Sequence, residues 1–235
     1  MDALTATIPV GNQGMAVQTA WPQGTGRFPA LVVIMHAGGV DTFVHGMLQK
    51  LVDAGYFVAA PDLYHRLDSR QGSGLDRMKL LRDPQVESDV NATVDFLCGH
   101  PLVEKTRLGI MGFCMGGRVA YLMAARNHRF RAAVAFYGGN IMIPWGEEGP
   151  TPFDLTADLG CPLQFHFGDD DTNPSPADRQ KLDAALTKHG KLHEFHRYAG
   201  AAHAFLNFTN PDRYREAASH AAWPRTLDFL TRQLG

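Results

Sequence analysis

Cysteine is scarce in this 235-residue chain, which has only Cys98, Cys114 and Cys161. An odd number without C-x-x-C spacing argues against a disulfide framework and against a zinc site. This usage predicts a cytoplasmic protein kept in the reduced state. Cys98, at the end of a predicted helix, and Cys161, which opens a predicted strand, are expected to be small buried residues. No cluster of residues has metal-ligand spacing, so no metal site is expected.

The chain also lacks an excess of charge and any long apolar run. Its formal net charge is −2, and charged residues make up 20% of it. Without a basic patch or an acidic tail, nucleic acid and membrane surfaces are not expected partners. No segment is long enough to span a bilayer, and the start Met1–Val10 has no positive region before an apolar core, so no signal peptide is predicted. We expect a small-molecule substrate and a monomer or small homo-oligomer.

What the chain does contain is an alternation of apolar runs and helical patterns, with 45% hydrophobic residues. This length and content suit a single domain over residues 1–235. Ala30–Met35 is continuously apolar, as expected of a parallel strand covered on both faces. The predicted fold is α/β, with a mostly parallel, doubly wound sheet flanked by helices. Two short strands, Leu4–Pro9 and Met15–Trp21, predict an antiparallel N-terminal edge.

The most informative motif is a strand, a sharp turn and a helix around Cys114. The apolar run Leu108–Met111 leads into Gly112-Phe-Cys-Met-Gly-Gly117, and an Ala-rich helix is predicted from Arg118 to Arg126. Glycines two residues before and after Cys114 match the nucleophile elbow G-x-S-x-G, with sulfur in place of the hydroxyl. The following helix N-terminus would favour a thiolate. The alternative is an inert cysteine in a glycine-rich turn.

Two later loops carry acids and a histidine. Gly168-Asp-Asp-Asp171 and Ala199-Gly-Ala-Ala-His203 each follow a predicted strand. In a doubly wound sheet, functional groups gather beyond the carboxyl ends of the strands. The chain order nucleophile, acid, histidine is that of the α/β-hydrolase triad.

These positions predict a Cys-His-Asp triad. Cys114 would attack an acyl carbon, His203 would handle its proton and later activate water, and Asp171 would orient the imidazole. The backbone N–H groups of Ala37 and Met115 would form the oxyanion hole. The sequence therefore predicts a hydrolase.

Alternatives remain for the acid and for the histidines. Asp169 and Asp170 compete with Asp171, since only one carboxylate can face His203 and three acids in a row are also typical of a solvated turn or cap. His203 alone could be a polar residue at a strand end. His166 lies within a predicted strand and is expected to be buried and hydrogen-bonded. Other histidines without shared spacing or an acid partner are expected at the surface or in the core: His65, His100, His128, His189, His193, His196 and His220.

Taken together, the motifs resemble the dienelactone hydrolases, cysteine-dependent members of the α/β-hydrolase fold. The resemblance covers nearly the whole chain, through Ala60-Pro-Asp-Leu-Tyr64, Gly112-Phe-Cys-Met-Gly-Gly117, Phe167-Gly-Asp-Asp-Asp171 and Tyr198-Ala-Gly-Ala-Ala-His-Ala-Phe205. It implies a triad of Cys114, Asp171 and His203, and a cofactor-free enzyme.

Two positions depart from what the resemblance implies for an enzyme acting on dienelactone. The oxyanion loop has His36 where a Glu is expected, and Asn207 stands four residues after His203, where the family can place an Arg. Because the arginine fork binds both oxygens of a carboxylate, its absence predicts an altered carboxylate-binding set. Arg66 or Arg70 could compensate, although surface solvation is the simpler expectation for each.

Aromatic residues near the predicted site are further candidates for substrate contact. They are Tyr64, Tyr137, Trp145 and Phe205, of which two or more could instead belong to the core. Long segments at Leu63–Asp83 and Asn140–Gly160 are expected to pass over the strand ends, where loops of this length tend to be functional.

The predicted function is hydrolysis of a small carboxylic ester or lactone. A general carboxylesterase or thioesterase on the same scaffold is one alternative. Another is a non-catalytic protein that senses oxidants through reversible oxidation of Cys114. The Asp–His pair favours catalysis, because a sensor needs no proton shuttle to a leaving group.

Overall fold

A computed structural model describes residues 2–68, 72–146 and 149–235. The strands are β1 (Asp2–Val10), β2 (Gln13–Trp21), β3 (Phe28–Ile34), β4 (Phe57–Pro61), β5 (Val103–Phe113), β6 (Phe130–Phe136), β7 (Leu163–Gly168) and β8 (His193–Tyr198). The helices are α1 (Thr42–Asp53), α2 (Gly74–Met78), α3 (Asp83–Gly99), α4 (Met115–Arg126), α5 (Pro176–Lys188) and α6 (Glu216–Leu234), and a 3₁₀ helix covers Phe153–Asp158.

The strands form one sheet in the order β1-β2-β4-β3-β5-β6-β7-β8. β1 and β2 pair antiparallel, and β2 is antiparallel to β4. The remaining neighbours in the sheet, in the order β4-β3-β5-β6-β7-β8, are all parallel. The central strands β3, β4 and β6 are almost wholly buried, because helices cover both faces of the parallel part. The predicted α/β fold with an antiparallel N-terminal edge is confirmed.

Several element boundaries differ from the predicted ones for local reasons. The apolar run Leu108–Met111 is only the inner part of β5, which begins in a polar stretch at Val103. The sequence also predicts a helix from Pro174 to Lys188; in the structure this helix, α5, begins at Pro176, because Ser175 forms a capping box with Asp178. The long polar segment before α3 contains the short helix α2, capped by its own Ser-Asp pair.

Two ion pairs, each with one fully buried side chain, lie beside the long loops. The guanidinium of Arg118 in α4, fully buried, lies 2.6 and 2.9 Å from the two carboxylate oxygens of Asp83 and stacks 4.0 Å from the Trp145 ring. Arg66 makes the same two-point contact with the buried Asp89, at 2.6 Å for each bond. These contacts fix the loops that surround the carboxyl ends of the strands. Among the described residues, no helix is both long and apolar enough to cross a membrane.

Candidate active site

Cys114 occupies the tight turn between β5 and α4. Its backbone has φ +57° and ψ −119°. This left-handed conformation costs free energy for any residue other than glycine. The flanking glycines make this turn possible: a Cβ on Gly112 would lie 1.9 Å from the carbonyl oxygen of Gly116, and one on Gly116 would lie 2.4 Å from that of Ile34. The N–H of Cys114 donates to the carbonyl of Phe136 at 3.0 Å, which ties the turn to the end of β6.

Backbone strain recurs around this turn. In the part of the chain that the structure describes, the non-glycine residues with positive φ are Cys114, Tyr137, Asn140 and Ala204. They follow β5, β6 and β8, at the same edge of the sheet. Such clustering is typical of a functional site, where the surrounding structure holds residues in sparsely populated conformations.

Of the three consecutive acids, Asp171 is the one that faces the histidine. Its Oδ2 lies 2.9 Å from Nδ1 of His203, and its Oδ1 accepts the N–H of Asn173 at 2.9 Å. Asp169 instead pairs with Arg197 at 2.7 Å, and Asp170 is exposed. The structure therefore separates three acids that the sequence could not rank by itself.

Arg179, in α5, holds the loop that carries this acid. Its buried guanidinium donates to the carbonyl oxygens of Gly168, Asp171 and Asp169, at 2.8, 3.3 and 3.4 Å. Three bonds from one rigid donor fix the turn after β7 and hence the direction of the Asp171 side chain. No sequence motif marked Arg179, because its partners are backbone atoms.

The sulfur of Cys114 interacts with the imidazole of His203. Since Nδ1 of His203 is bound to Asp171, the ring presents Nε2 to the sulfur. Burial raises the pKa of the Cys114 thiol, but the hydrogen bond and charge of His203, together with hydrogen bonds from two backbone N–H groups, lower it by more. The pKa therefore lies below its ordinary value. Burial lowers the pKa of His203, whereas Asp171 and Cys114 together raise it to about 10. Both shifts favour a thiolate–imidazolium pair.

The backbone N–H groups of Met115 and Ala37 also reach the sulfur of Cys114 and lower its thiol pKa. Met115 is the first residue of α4, and Ala37 lies in the loop after β3. These are the two groups predicted to form an oxyanion hole, and the structure brings both beside Cys114. Donors that contact a thiolate here can also contact an oxygen formed on a carbon bonded to that sulfur.

Contacts within the loop after β3 hold Ala37 in place. Nε2 of His36 lies 2.9 Å from Oδ2 of Asp41, and Nδ1 of His36 accepts the N–H of Gly38 at 3.3 Å. The hydroxyl of Tyr64, buried in the structure, lies 3.1 Å from the carbonyl oxygen of Ala37. His36 and Tyr64, predicted as substrate contacts, thus make contacts that position the loop.

Tyr137 packs against the imidazole of His203, and Phe205 packs against Tyr137. The ring of Tyr137 lies 5.2 Å from that of His203 and 5.4 Å from that of Phe205. Both aromatic side chains are fully buried. Burial raises the pKa of the Tyr137 phenol, and the negative charges of Cys114 and Asp171 raise it further. A neutral Tyr137 therefore forms part of the wall behind the reactive groups.

The reactive groups open into a cavity of about 200 Å³. Its walls combine apolar side chains with small polar ones and comprise Leu75, Met78, Cys114, Met115, Gly139, Asn140, Trp145, Asp171, Thr172, Asn173 and His203. Of the aromatic residues that the sequence suggested, Trp145 lines this cavity. The described lining contains no lysine or arginine.

Arg66 and Arg70 were suggested as carboxylate ligands, and the structure describes only Arg66. Arg66 is engaged by Asp89 through both terminal nitrogens and does not line the described cavity. Asp89 also lies 3.2 Å from Nε2 of His65, so the three side chains form one buried cluster. Arg70 lies outside the described residues.

Six lining residues were not predicted as site residues from the sequence: Leu75, Met78, Gly139, Asn140, Thr172 and Asn173. Leu75 and Met78 belong to the short helix α2, whose five residues give too little periodicity to be recognised. The asparagines lie in loops whose positions depend on tertiary contacts. Within the described ranges, no group of three or more His, Cys, Asp or Glu side chains is arranged to hold a metal ion.

Comparisons with known proteins match this chain to one family. The family model of the dienelactone hydrolase family matches residues 15–234. A Bradyrhizobium protein assigned as a 2-oxo-3-(5-oxofuran-2-ylidene)propanoate lactonase is 34% identical over 234 residues, covering 95% of this chain and 92% of its own. The carboxymethylenebutenolidase of Rhodococcus opacus is 28% identical over 220 residues, covering 89% of this chain and 83% of its own.

Solved structures give the same answer. A Klebsiella pneumoniae protein assigned to the dienelactone hydrolases superposes with a TM-score of 0.87 at 28% identity, covering 98% of both chains. The sheet of this chain, with Cys114 on the turn after β5, is that of an α/β hydrolase. The family match over nearly the whole sequence and the shared fold lead to one conclusion. This chain belongs to the dienelactone hydrolase family and is a hydrolase acting on a lactone or ester.

Proposed function

We propose that Cys114, His203 and Asp171 are the catalytic triad, and that the substrate is a small ester or lactone without a carboxylate that needs an arginine clamp. The observation that carries the proposal is the environment of one atom. The sulfur of Cys114 contacts a base held by a buried acid and also two backbone N–H groups. A resting thiolate with an oxyanion site already beside it suits acyl transfer.

In the acylation step, the Cys114 thiolate attacks the carbonyl carbon and forms a C–S bond. The carbonyl electron pair moves to oxygen, which takes hydrogen bonds from Ala37 N–H and Met115 N–H. The C–O bond to the leaving group then breaks, and the departing alkoxide takes the proton on Nε2 of His203. Asp171 stabilises the imidazolium beforehand and fixes its tautomer through Nδ1.

In the deacylation step, water attacks the thioester while Nε2 of His203 accepts its proton. The second tetrahedral oxyanion uses the same two N–H groups, and the C–S bond breaks to release the acid and regenerate the thiolate. With a lactone, the alcohol released by acylation remains part of the acyl group, so the product is one ring-opened hydroxy acid. The residues named supply every proton transfer.

The charges around the cavity support the restriction on substrate. A carboxylate on the substrate would approach the Cys114 thiolate and the Asp171 carboxylate, and the described lining offers no side-chain cation other than His203. Asn207 stands where the family can place an arginine, and Arg66 is occupied by Asp89. We therefore infer that neutral esters and lactones are better substrates than dienelactone.

The test compares initial rates on p-nitrophenyl acetate and on a carboxylate-bearing dienelactone. The wild type, Cys114→Ala and a matched control, Cys98→Ala, are assayed in parallel. We expect hydrolysis of the acetate, its loss in Cys114→Ala and its retention in Cys98→Ala. A higher kcat/KM on dienelactone would contradict the neutral-substrate proposal. If neither ester is hydrolysed while Cys114 reacts with peroxide, the oxidant-sensing alternative takes its place.

A further inference from the structure

A second cavity, of about 150 Å³, adjoins the catalytic one. Asn140 and Asn173 line both cavities, so they form the boundary between them. Their side chains are bonded to each other, with Nδ2 of Asn173 donating to Oδ1 of Asn140 at 3.2 Å and Oδ1 of Asn173 accepting the Asn140 N–H at 2.9 Å. Asn173 is exposed and Asn140 is partly exposed, so the ridge that they form between the two cavities reaches the surface.

Beyond this ridge the lining is mainly apolar. Five side chains supply it: Ile141, Met142, Ile143, Pro174 and Leu182. The one acid there is Asp178, whose Oδ2 already accepts the N–H and the hydroxyl of Ser175 at 3.1 and 2.7 Å. The cavity therefore offers contact to hydrocarbon and no cation for an anionic group.

The order of the strands places this second cavity relative to the reaction. β5, which carries Cys114, lies between β3 and β6, and the oxyanion loop with Ala37 follows β3. Asn140 follows β6, Asn173 follows β7 and His203 follows β8, all on the opposite side of β5. The cavity thus lies on the His203 side of the sulfur, toward which an ester must direct its leaving group to receive the proton.

We propose that this cavity, bounded by Asn140, Asn173 and Ile143, binds an apolar chain on the alcohol portion of the ester. The inference rests on the proposed function and adds the substrate class: an ester of a short acid with a medium-length aliphatic alcohol. The acyl group occupies the cavity above Cys114, and the alkoxy chain crosses the Asn140–Asn173 ridge into the apolar lining. Burying each methylene there raises kcat/KM by about fourfold until the cavity is filled.

The first measurement uses two substrate series with the wild-type protein. In one, the alcohol of an acetate ester is lengthened from methyl to butyl to hexyl. In the other, the acyl group of a p-nitrophenyl ester is lengthened from acetyl to butanoyl to hexanoyl. We expect kcat/KM to rise at least tenfold along the alcohol series. A rise confined to the acyl series would overturn the placement.

The decisive variant is Ile143→Asp, because the Ile143 side chain is 54% exposed and its replacement does not disturb the core. A carboxylate in the lining should cut kcat/KM for hexyl acetate by about tenfold or more and leave methyl acetate within about twofold. The matched control is Leu192→Asp, a 74% exposed leucine that lines neither cavity. Equal effects of the two variants, or none from Ile143→Asp, would overturn the proposal.

Binding of 1-hexanol, measured by calorimetry, separates this inference from the proposed hydrolysis. The alcohol should bind the wild type and Cys114→Ala equally and bind Ile143→Asp at least tenfold more weakly. If hexanol binds in this pattern while no ester is hydrolysed, the apolar subsite is supported and the proposed hydrolytic function is wrong. If esters are hydrolysed while hexanol binds all three proteins alike, the subsite proposal is wrong and the proposed hydrolytic function is supported.

Discussion

The carboxylate of Asp171 and the imidazole of His203 lie 2.9 Å apart, Oδ2 to Nδ1, with Asp171 only 3% exposed. Asp171→Asn keeps the shape and an acceptor for the N–H of Asn173, but it removes the charge that stabilises the imidazolium. An amide can also present its NH₂ to Nδ1 and thereby favour the wrong tautomer. We expect kcat/KM on p-nitrophenyl acetate to fall by about 10²- to 10⁴-fold, as measured by steady-state kinetics.

The neighbouring acids provide matched controls for this prediction. Asp170→Asn and Asp169→Asn remove the same charge from positions that do not contact His203. Each should leave kcat/KM within about twofold, since surface charges contribute little at this range. A large loss from Asp170→Asn, with little from Asp171→Asn, would mean that another acid serves the histidine in solution.

The paired shifts in pKa define the pH range of activity. The Cys114 thiol has a lowered pKa, so its thiolate persists below the ordinary range of a cysteine and is lost only as pH falls through the lowered value. His203 has a pKa raised to about 10, so its imidazolium is lost as pH rises through that value. Acylation uses both ions, so kcat/KM should fall as pH drops through the lowered pKa of Cys114 and fall again as pH rises through about 10.

Titration of the thiolate by its ultraviolet absorbance tests directly whether the pKa of the Cys114 thiol is lowered. The difference between wild type and Cys114→Ala isolates the signal of Cys114, since the variant retains the other two cysteines. Cys161 does not interfere at lower pH, because burial raises its pKa to about 12. A Cys114 signal that appears only near its ordinary value of 9.0 would show that the ion pair does not form.

The fold and the order of the site residues could be predicted because they depend on short-range patterns. Apolar runs between helical segments gave the sheet, and the glycines around Cys114 gave the turn. The partners of Arg118 and Arg179 could not be predicted, since each arginine joins segments brought together only by the folded chain. The choice of Asp171 from three adjacent acids likewise depends on the direction of one turn, which Arg179 fixes from a different helix.

Arg118 is expected to contribute strongly to stability. Arg118→Met leaves Asp83 without its partner at 2.6 Å and also removes the stacking on Trp145. Breaking a buried pair from one side costs about 3 to 5 kcal/mol, so the free energy of unfolding should fall by that amount in urea titrations. Removing the Asp83 charge as well, in Arg118→Met/Asp83→Asn, should restore part of the loss.

A surface pair of the same chemistry is the control. Arg129 lies 2.6 Å from Asp95, but both side chains are more than half exposed. Arg129→Met should therefore change the free energy of unfolding by less than about 1 kcal/mol. Similar losses for Arg118→Met and Arg129→Met would contradict the assignment of Arg118 as the buried anchor of the Trp145 loop.

The turn at Cys114 should tolerate no side chain at Gly112. Gly112→Ala would place a methyl group 1.9 Å from a carbonyl oxygen of the next turn, so the backbone must shift. We expect a loss of about 3 kcal/mol or more in thermal or urea denaturation, together with loss of activity. Gly99→Ala, at the end of α3 with free space around its Cβ, should instead be neutral or stabilise by about 0.5 kcal/mol.

The family resemblance implies a glutamate at position 36, where this chain has a histidine. We expect that a glutamate would not function in this loop. In His36→Glu the new carboxylate would lie beside Asp41, which now bonds to Nε2 of His36 at 2.9 Å. Like charges at this separation should lower the free energy of unfolding by about 1 to 2 kcal/mol at neutral pH, and the deficit should shrink as falling pH protonates one of them. The substitution should also displace the Ala37 N–H and thereby lower kcat on p-nitrophenyl acetate by up to about tenfold.

His36→Gln is the matched variant, because its amide N–H can still donate to Asp41. It should retain stability and keep kcat within about threefold of the wild type. Thermal denaturation across pH and the separate kcat and KM values distinguish the two variants. If His36→Glu instead were as stable as the wild type and gained activity on dienelactone, position 36 would contact the substrate or the thiol. Its contact with Asp41 would then not be its functional role.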